Sequence, residues 1–208
     1  IIGVAAVIAV VGIGEGASQM VQAQISSLGD NLITIFPGSF MAGGAHGGAG
    51  SRSSLSEDDA RAIEAQVPWI TALTPIARAG GQVVYGNQNW ATSVEGADPD
   101  YFEIRRWRIV SGTSFSESAV RGQAKVAVIG KTISDQLFQG DDPVGQFIRI
   151  KKIPFQVVGV LEGKGQNSWG RDQDDVIIAP YTTVMKKLSG QTYLSQILAS
   201  ATSMADLP

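Results

Sequence analysis

The 208-residue sequence contains no cysteine and a single histidine, His46. The first absence excludes disulfides, thiolate catalysis and cysteine-ligated metals. The second removes metal sites and acid–base relays that need two imidazoles. Compartment stays open, because exported proteins also lack cysteine. Charge is sparse, with 16 Lys+Arg against 19 Asp+Glu and a net charge of −3. That balance argues against nucleic acid as a partner, since phosphate neutralisation needs a basic face. No apolar run reaches the roughly 20 residues that a bilayer-spanning helix needs. The longest, Ile1 to Ile13, reads "IIGVAAVIAVVGI", and as a helix rising about 1.5 Å per residue it would reach only about 20 Å. It is either a buried strand or the end of a longer membrane helix. It lacks the basic n-region and small-residue cleavage site of a signal peptide.

What is present describes a folded, turn-rich chain. Hydrophobic residues make up 44% and charged residues 17%, normal for a core-forming protein, and glycine is high at 25 residues, where about 7% is usual. Helical spacing of Met20, Val21, Ile25 and Leu28 predicts a helix from Ala17 to Leu28, stopped by Gly29-Asp30. "NLITIF" reads as a strand ended by Pro37-Gly38. Ser39 to Ser54 is Gly-rich and expected as a mobile loop or hairpin tip. Ser54-x-x-Glu57 has capping-box spacing ahead of "EDDARAIEAQ", whose first-turn carboxylates suit the helix dipole. From Ile70 to Asp98, alternation broken at Gly80-Gly81 and Gly86-Asn87 predicts two or three antiparallel strands. "PDYFEIRRWRIVSGTSF" combines a short aromatic turn with a basic strand-like piece. "KVAVIGKTISDQLF" reads as strand then helix, and "GQFIRIKKIPFQVVGVLEG" as a hairpin turning at Lys151 to Pro154. After a polar loop, "DDVIIAP", "YTTVMKKLSG" and "YLSQILASA" read as strand, helix and strand, and "SMADLP" as the start of a helix. That order is α+β rather than regular βαβ alternation, and no internal repeat is visible.

Several motifs invite chemistry. Gly12, Gly14 and Ala17 match the G-x-G-x-x-G/A spacing of a dinucleotide turn between an apolar run and a helix. The ribose-binding acid expected about 20 residues later is missing from "LITIFPGSF", and Glu15 would face the pyrophosphate with the wrong sign. "GGAHGGAGSRSS" lacks the lysine of a P-loop. Acidic groups at Glu57-Asp58-Asp59, Asp98/Asp100, Asp141-Asp142 and Asp172/Asp174/Asp175 read respectively as helix N-terminal charge, turn residues beside Pro99 and Pro143, and a solvated loop. "RDQDD" lacks the ligand spacing of a calcium loop. Arg105-Arg106-Trp107-Arg108 and Lys151-Lys152 read as strand faces or edges carrying protective charge. The first of these is also a candidate docking surface, because Trp and Arg anchor interfaces.

Taken together, "IIGVAAVIAVVGIGEGASQMVQAQISSLGDNLITIFPG", "GADPDYFEI", "GQAKVAVIGKTISDQLF", "DPVGQFIRIKKIPFQVVGVLEGKG" and "IIAPYTTVMKKLSG" resemble, in this order, the periplasmic core domain of MacB-type permeases of the FtsX-like superfamily of ABC transporters. The resemblance implies the end of a transmembrane and stem helix over 1–29, and a porter-like α+β subdomain over 30–97 and 174–208 that stops short of its last elements. A second subdomain, the sabre, is inserted over 98–173. It implies an inner-membrane homodimer whose ATP-binding domain, fused or separate, moves the stem helices. That motion expels substrates from the periplasm through an adaptor and an outer-membrane channel, with no catalytic residue, metal or cofactor in this domain. Gly12, Gly14, Glu15 and Gly16 then mark the membrane exit, and Arg105, Arg106, Trp107 and Arg108 a docking position. "PYTTVMKKLSG" points to the macrolide-exporter branch. Lipoprotein-releasing or cell-division-type permeases, a periplasmic ligand-binding module and a Rossmann-like enzyme are the alternative expectations.

Overall fold

The computed structural model describes residues 32–38, 41–42, 45–46, 55–167 and 170–201. The expected stem helix, the glycines at 12, 14 and 16, and "SMADLP" lie outside these residues. "NLITIF" supplies β1 (Leu32–Ile35), and within the Gly-rich segment β2 (Met41–Ala42) pairs with β3 (Ala45–His46) as a hairpin. Helix α1 (Glu57–Gln66) begins two residues later than the Ser54 spacing suggests. Ser56 is the extended N-cap, its hydroxyl accepting the Asp59 N–H at 3.2 Å while the Asp59 carboxylate accepts the Ser56 N–H at 2.8 Å. The capping box is therefore Ser56/Asp59, not Ser54/Glu57, and the Ser56 hydroxyl and backbone N–H, both donating to the Asp59 carboxylate, hold that carboxyl below its usual pKa.

Next come β4 (Ile70–Tyr85) and β5 (Gln88–Ala97), joined by the expected turn at Gly86-Asn87. Gly80-Gly81 does not break β4. A Cβ on Gly81 would sit 2.8 Å from Lys151 Cγ, so this glycine clears space for a side chain crossing the strand. Then follow α2 (Asp100–Ile104), β6 (Ile109–Gly112), α3 (Glu117–Arg121), β7 (Val126–Ile129), α4 (Lys131–Phe138), β8 (Phe147–Ile150), β9 (Ile153–Leu161) and β10 (Val176–Pro180). Helix α5 (Tyr181–Thr183) continues as a π-helix, Val184–Ser189, that stops at left-handed Gly190, and β11 (Gln196–Ala201) closes the described chain.

Strand pairing curls the sheet into a ring. β4 pairs antiparallel with β5, β5 parallel with β10, β10 antiparallel with β7, β7 parallel with β9, and β9 antiparallel with β8. β8 then returns to β4 through Val83↔Ile150 and Val84↔Arg149. Beyond the ring, the first half of β4 carries β11, which in turn carries β1, both antiparallel. β6 lies on β9.

The period-2 alternation of strand side chains sorts the core into two clusters. Val83, Val94, Ile129, Ile148, Val157 and Ile177, one from each ring strand, are all 0% exposed and pack in one cluster with Ile133 and Leu137 of α4 and Val184 and Leu188 of the π-helix. This cluster fills the ring. The second cluster sits on the opposite face under α2 and α3, and joins Ile76, Val128 and Ile178 to Tyr101, Trp107, Phe115 and Val120. All five residues of β10 are buried, which explains a run of apolar residues without alternation.

Gly96 marks the closest approach between layers, since a Cβ there would lie 2.7 Å from the Tyr181 Cα backbone atom. Gly96→Ala is expected to cost about 1–3 kcal/mol by forcing α5 off the sheet. Gly80→Ala, where a Cβ meets nothing within 4 Å, is expected to stay within about 0.5 kcal/mol. Urea-unfolding midpoints of the two variants measure the contrast, and equal midpoints would contradict the packing described here.

Candidate functional site

A cleft of about 710 Å³ opens where α1, α3 and α5 meet the junction between β5 and α2. Its titratable lining is mainly acidic, with Glu57, Glu64, Asp98, Asp100 and Glu117 against Arg61, Arg121 and Lys186. Arg61 is already engaged by Asp58 at 3.2 Å and Glu57 at 3.9 Å on the exposed side of α1, a pairing of little energetic weight. Helix α5 is tied to the α3 segment through hydroxyls: Thr182 Oγ1 donates to the Val120 carbonyl and Thr183 Oγ1 to the Ala124 carbonyl, the latter at 2.9 Å.

Asp98 is the pivot of this site. It follows buried Ala97 at the end of β5, and its carboxylate accepts the Asp100 N–H at 3.1 Å, turning the chain into α2. Its own N–H is held by the Thr74 hydroxyl of β4 at 3.1 Å. Burial pushes the Asp98 carboxyl up to about 7, opposed by the Thr74 hydrogen bond and reinforced by the nearby charges of Asp100 and Glu117. Asp100 is raised too, chiefly by burial. Across the cleft, burial and the charge of Glu57 push the Tyr181 hydroxyl up to about 12. The hydroxyls of Thr182 and Thr183 are spent on carbonyls and that of Tyr181 stays protonated at neutral pH. The arrangement is suited to holding polar groups rather than to generating a nucleophile.

The basic run lies elsewhere, and not on a strand. Arg105 to Arg108 form the turn after α2, with Arg106 left-handed at φ 46°. Trp107 is only 4% exposed, and its indole N–H donates to the Glu162 carbonyl at 2.7 Å. Trp107 is thus a core residue and not an available anchor, a correction to the docking expectation at that position. Lys164 Nζ lies 5.2 Å above the Trp107 ring and donates to the Arg105 carbonyl at 2.6 Å. Arg105 is half-buried, while Arg106 and Arg108 are exposed. The acidic loop is corrected as well. Asp174 is buried, accepting the N–H groups of Lys164 and Gly165 at 2.8 and 2.9 Å, and Asp175 accepts the Trp90 indole N–H at 2.9 Å. These carboxylates staple the loop between β9 and β10.

Among the described residues no group of three or more His, Cys, Asp and Glu could hold a metal ion, and no helix is long and apolar enough to cross a membrane. Gly12, Gly14, Glu15, Gly16 and Ala17 lie outside the described residues. β1, the next described strand, pairs antiparallel with β11. Sequence reasoning passed over Asp98 as a turn residue. The signal available was an acid-Pro-acid run directly after an apolar strand, which seats a carboxylate at the core's rim.

Fold and cleft thus define a mixed α+β domain with a polar cleft. A family model described as the MacB-like periplasmic core domain matches residues 1–208, and the chain belongs to that family. It is 42% identical over 204 residues, 98% of its length, to a macrolide export ATP-binding/permease protein MacB from Syntrophobacter fumaroxidans. To the protein of the same name from Bdellovibrio bacteriovorus it is 38% identical over its whole length. The chain spans only 28% and 32% of those two relatives. Among solved structures, the periplasmic region of MacB from Actinobacillus actinomycetemcomitans shares the fold with a TM-score of 0.72 at 24% identity, covering 88% of this chain and 79% of that one. The extracellular domain of the noncanonic ABC-type transporter YknZ from Gram-positive bacteria follows at 0.66 and 15% identity, covering 83% and 86%. The family is that of an extracytoplasmic domain of a membrane permease.

A raised carboxyl pKa means that the folded state binds protons more tightly than the unfolded one between about pH 4 and pH 7, so Asp98 lowers stability progressively as pH rises through that window. Asp98→Asn keeps the acceptor for the Asp100 N–H and removes the charge. The gap in melting temperature in favour of the variant is expected to widen from pH 4 to pH 7 and then level off, at about 2–4 °C for each kcal/mol. Thermal melts across that range measure it, and a constant gap would show that Asp98 is not desolvated.

Proposed function

We propose that the chain is the extracytoplasmic domain of a macrolide-exporter-like ABC permease, carrying ATP-driven motion to the periplasm and docking an adaptor. The observation that supports this most is the family match over all 208 residues, together with 42% identity to a relative named for macrolide export. In this reading the full protein is an inner-membrane homodimer joined through its transmembrane and stem helices. Its ATP-binding domain is fused or separate, and the adaptor passes substrate to an outer-membrane channel. Gly12, Gly14 and Gly16 permit close helix approach or a bend at the membrane exit, and Glu15 meets water first. The segments 30–97 and 174–208 act as the porter-like part and 98–173 as the sabre-like part. Ring strands from all three are hydrogen-bonded to one another. With Trp107 in the core, Arg106 and Arg108 are the members of the basic turn left at the surface to meet a partner.

The test uses the full-length gene in its own host. Deletion is expected to lower the minimal inhibitory concentration of a macrolide, and the intact gene to restore it. A version lacking residues 55–201 is expected to retain basal ATP hydrolysis in membranes without restoring resistance. Unchanged macrolide sensitivity, with lipoproteins accumulating in the inner membrane of the deletion strain, would instead assign the chain to the lipoprotein-releasing branch.

A further inference from the structure

The β8–β9 hairpin turns on two residues, Lys151 and Lys152, since Ile150 pairs with Ile153. Both are left-handed, at φ 47° and 73°. That is the backbone of a type I′ turn, which ordinarily selects Asn-Gly, so two lysines hold it at a cost in strain. Strain of this kind persists where the surroundings require the residue. For Lys151 the requirement is visible.

Lys151 engages β4 and the π-helix at once. Its N–H donates to the Gln82 carbonyl of β4 at 3.2 Å. Its stem passes over Gly81, where a Cβ would meet Lys151 Cγ at 2.8 Å and Cε at 3.0 Å. Gly81 shares a face of β4 with Ala77, Ala79 and Val83, all packed in the cluster that fills the ring, so the stem lies on the inner side of the strand. The ammonium then donates to the Leu188 carbonyl at 3.2 Å. That carbonyl belongs to the last turn of the π-helix, where a cation suits the negative end of the helix dipole. The Lys152 side chain, from the same turn, makes no hydrogen bond or salt bridge among the described residues.

The element held in this way is itself uncommon, since π-helices are rare and concentrate at functional sites. Ser189 Oγ donates to the Val184 and Met185 carbonyls, both at 3.3 Å, before left-handed Gly190 ends the helix. Val184 and Leu188 are packed into the ring core, and the preceding Thr182 and Thr183 are bonded to the carbonyls of Val120 and Ala124. One end of the element is therefore anchored beside α3, and the other is reached by Lys151.

We propose that Lys151 is a positioning residue whose ammonium ties the tip of the β8–β9 hairpin to the end of the π-helix, so that a displacement of that helix is passed across β4 to the hairpin. This rests on the transporter reading above, in which such a displacement is the work the domain transmits.

The test uses the full-length permease. Lys151→Asn removes the ammonium and gives the turn a residue that its left-handed backbone favours, while Lys152→Asn eases the same turn and leaves the tie in place. In nanodiscs, hydrogen–deuterium exchange over residues 184–190 is expected to quicken about fivefold or more in Lys151→Asn, with β5 and β10 as protected as in the wild type. Lys152→Asn is expected to exchange like the wild type. In the host, Lys151→Asn is expected to keep basal ATP hydrolysis yet lower the macrolide inhibitory concentration about fourfold or more. Lys151→Arg, which keeps a cationic donor, is expected to restore it. Unchanged exchange over 184–190 would overturn this inference alone, as would quickened exchange with resistance intact. Loss of protection throughout β5 and β10 would also overturn it, because the lysine would then be supporting the fold at large. A wild-type permease that confers no macrolide resistance would overturn the transporter reading, and the transmitting role of Lys151 with it.

Discussion

Hydrogen bonding along both edges of β10, inside two layers of apolar side chains, is the constraint on which the remaining structure depends. The strand pairs parallel with β5 on one side and antiparallel with β7 on the other. Ile177 and Ala179 point into the ring and Val176 and Ile178 into the cluster under α2 and α3. A strand so placed has no solvent to satisfy its peptide groups, so both neighbours must be in register before its burial is favourable. The residues around it follow from that demand. Asp174 and Asp175 staple the loop leading in, Gly130 and Gly96 let neighbouring backbone come close, and α5 leaves directly across β5.

Local elements were legible because their signals are local. Alternation revealed β4, β5 and the β8–β9 hairpin, and "DDVIIAP" read as a strand. The ring itself was not legible, since its closure rests on Val83 meeting Ile150, a pairing that no spacing announces. The two small misreadings have the same origin. Ser54 and Ser56 both offer a cap, and packing of Ala60 and Leu55 into the core selects the second. Gly80-Gly81 looks like a turn until the lysine that passes over it is known.

The candidate site was less visible for a stronger reason. Its cleft draws on α1, α3, α5 and the β5–α2 junction, elements far apart in the chain, and the chemistry of Asp98 comes from burial rather than from residue type. Trp107 shows the converse. Surrounded by arginines in sequence, it resembles an exposed anchor, yet the turn after α2 rotates its indole into the core, where the Glu162 carbonyl receives its N–H. Charge next to an aromatic in sequence does not decide which of the two reaches solvent.

Ring closure through β10 also constrains how the domain comes into being. β5 ends at Ala97 and its parallel partner begins at Val176, so the chain between them must be present before the two strands can meet. A pairing of such sequence separation is slow to form, because loop-closure entropy is spent before the contact stabilises anything. During synthesis or export, β4 and β5 would wait as a hairpin with one apolar face uncovered, a state prone to association with other chains. Survival of this domain through biogenesis thus depends on how quickly the segment ending in β10 emerges to cover them.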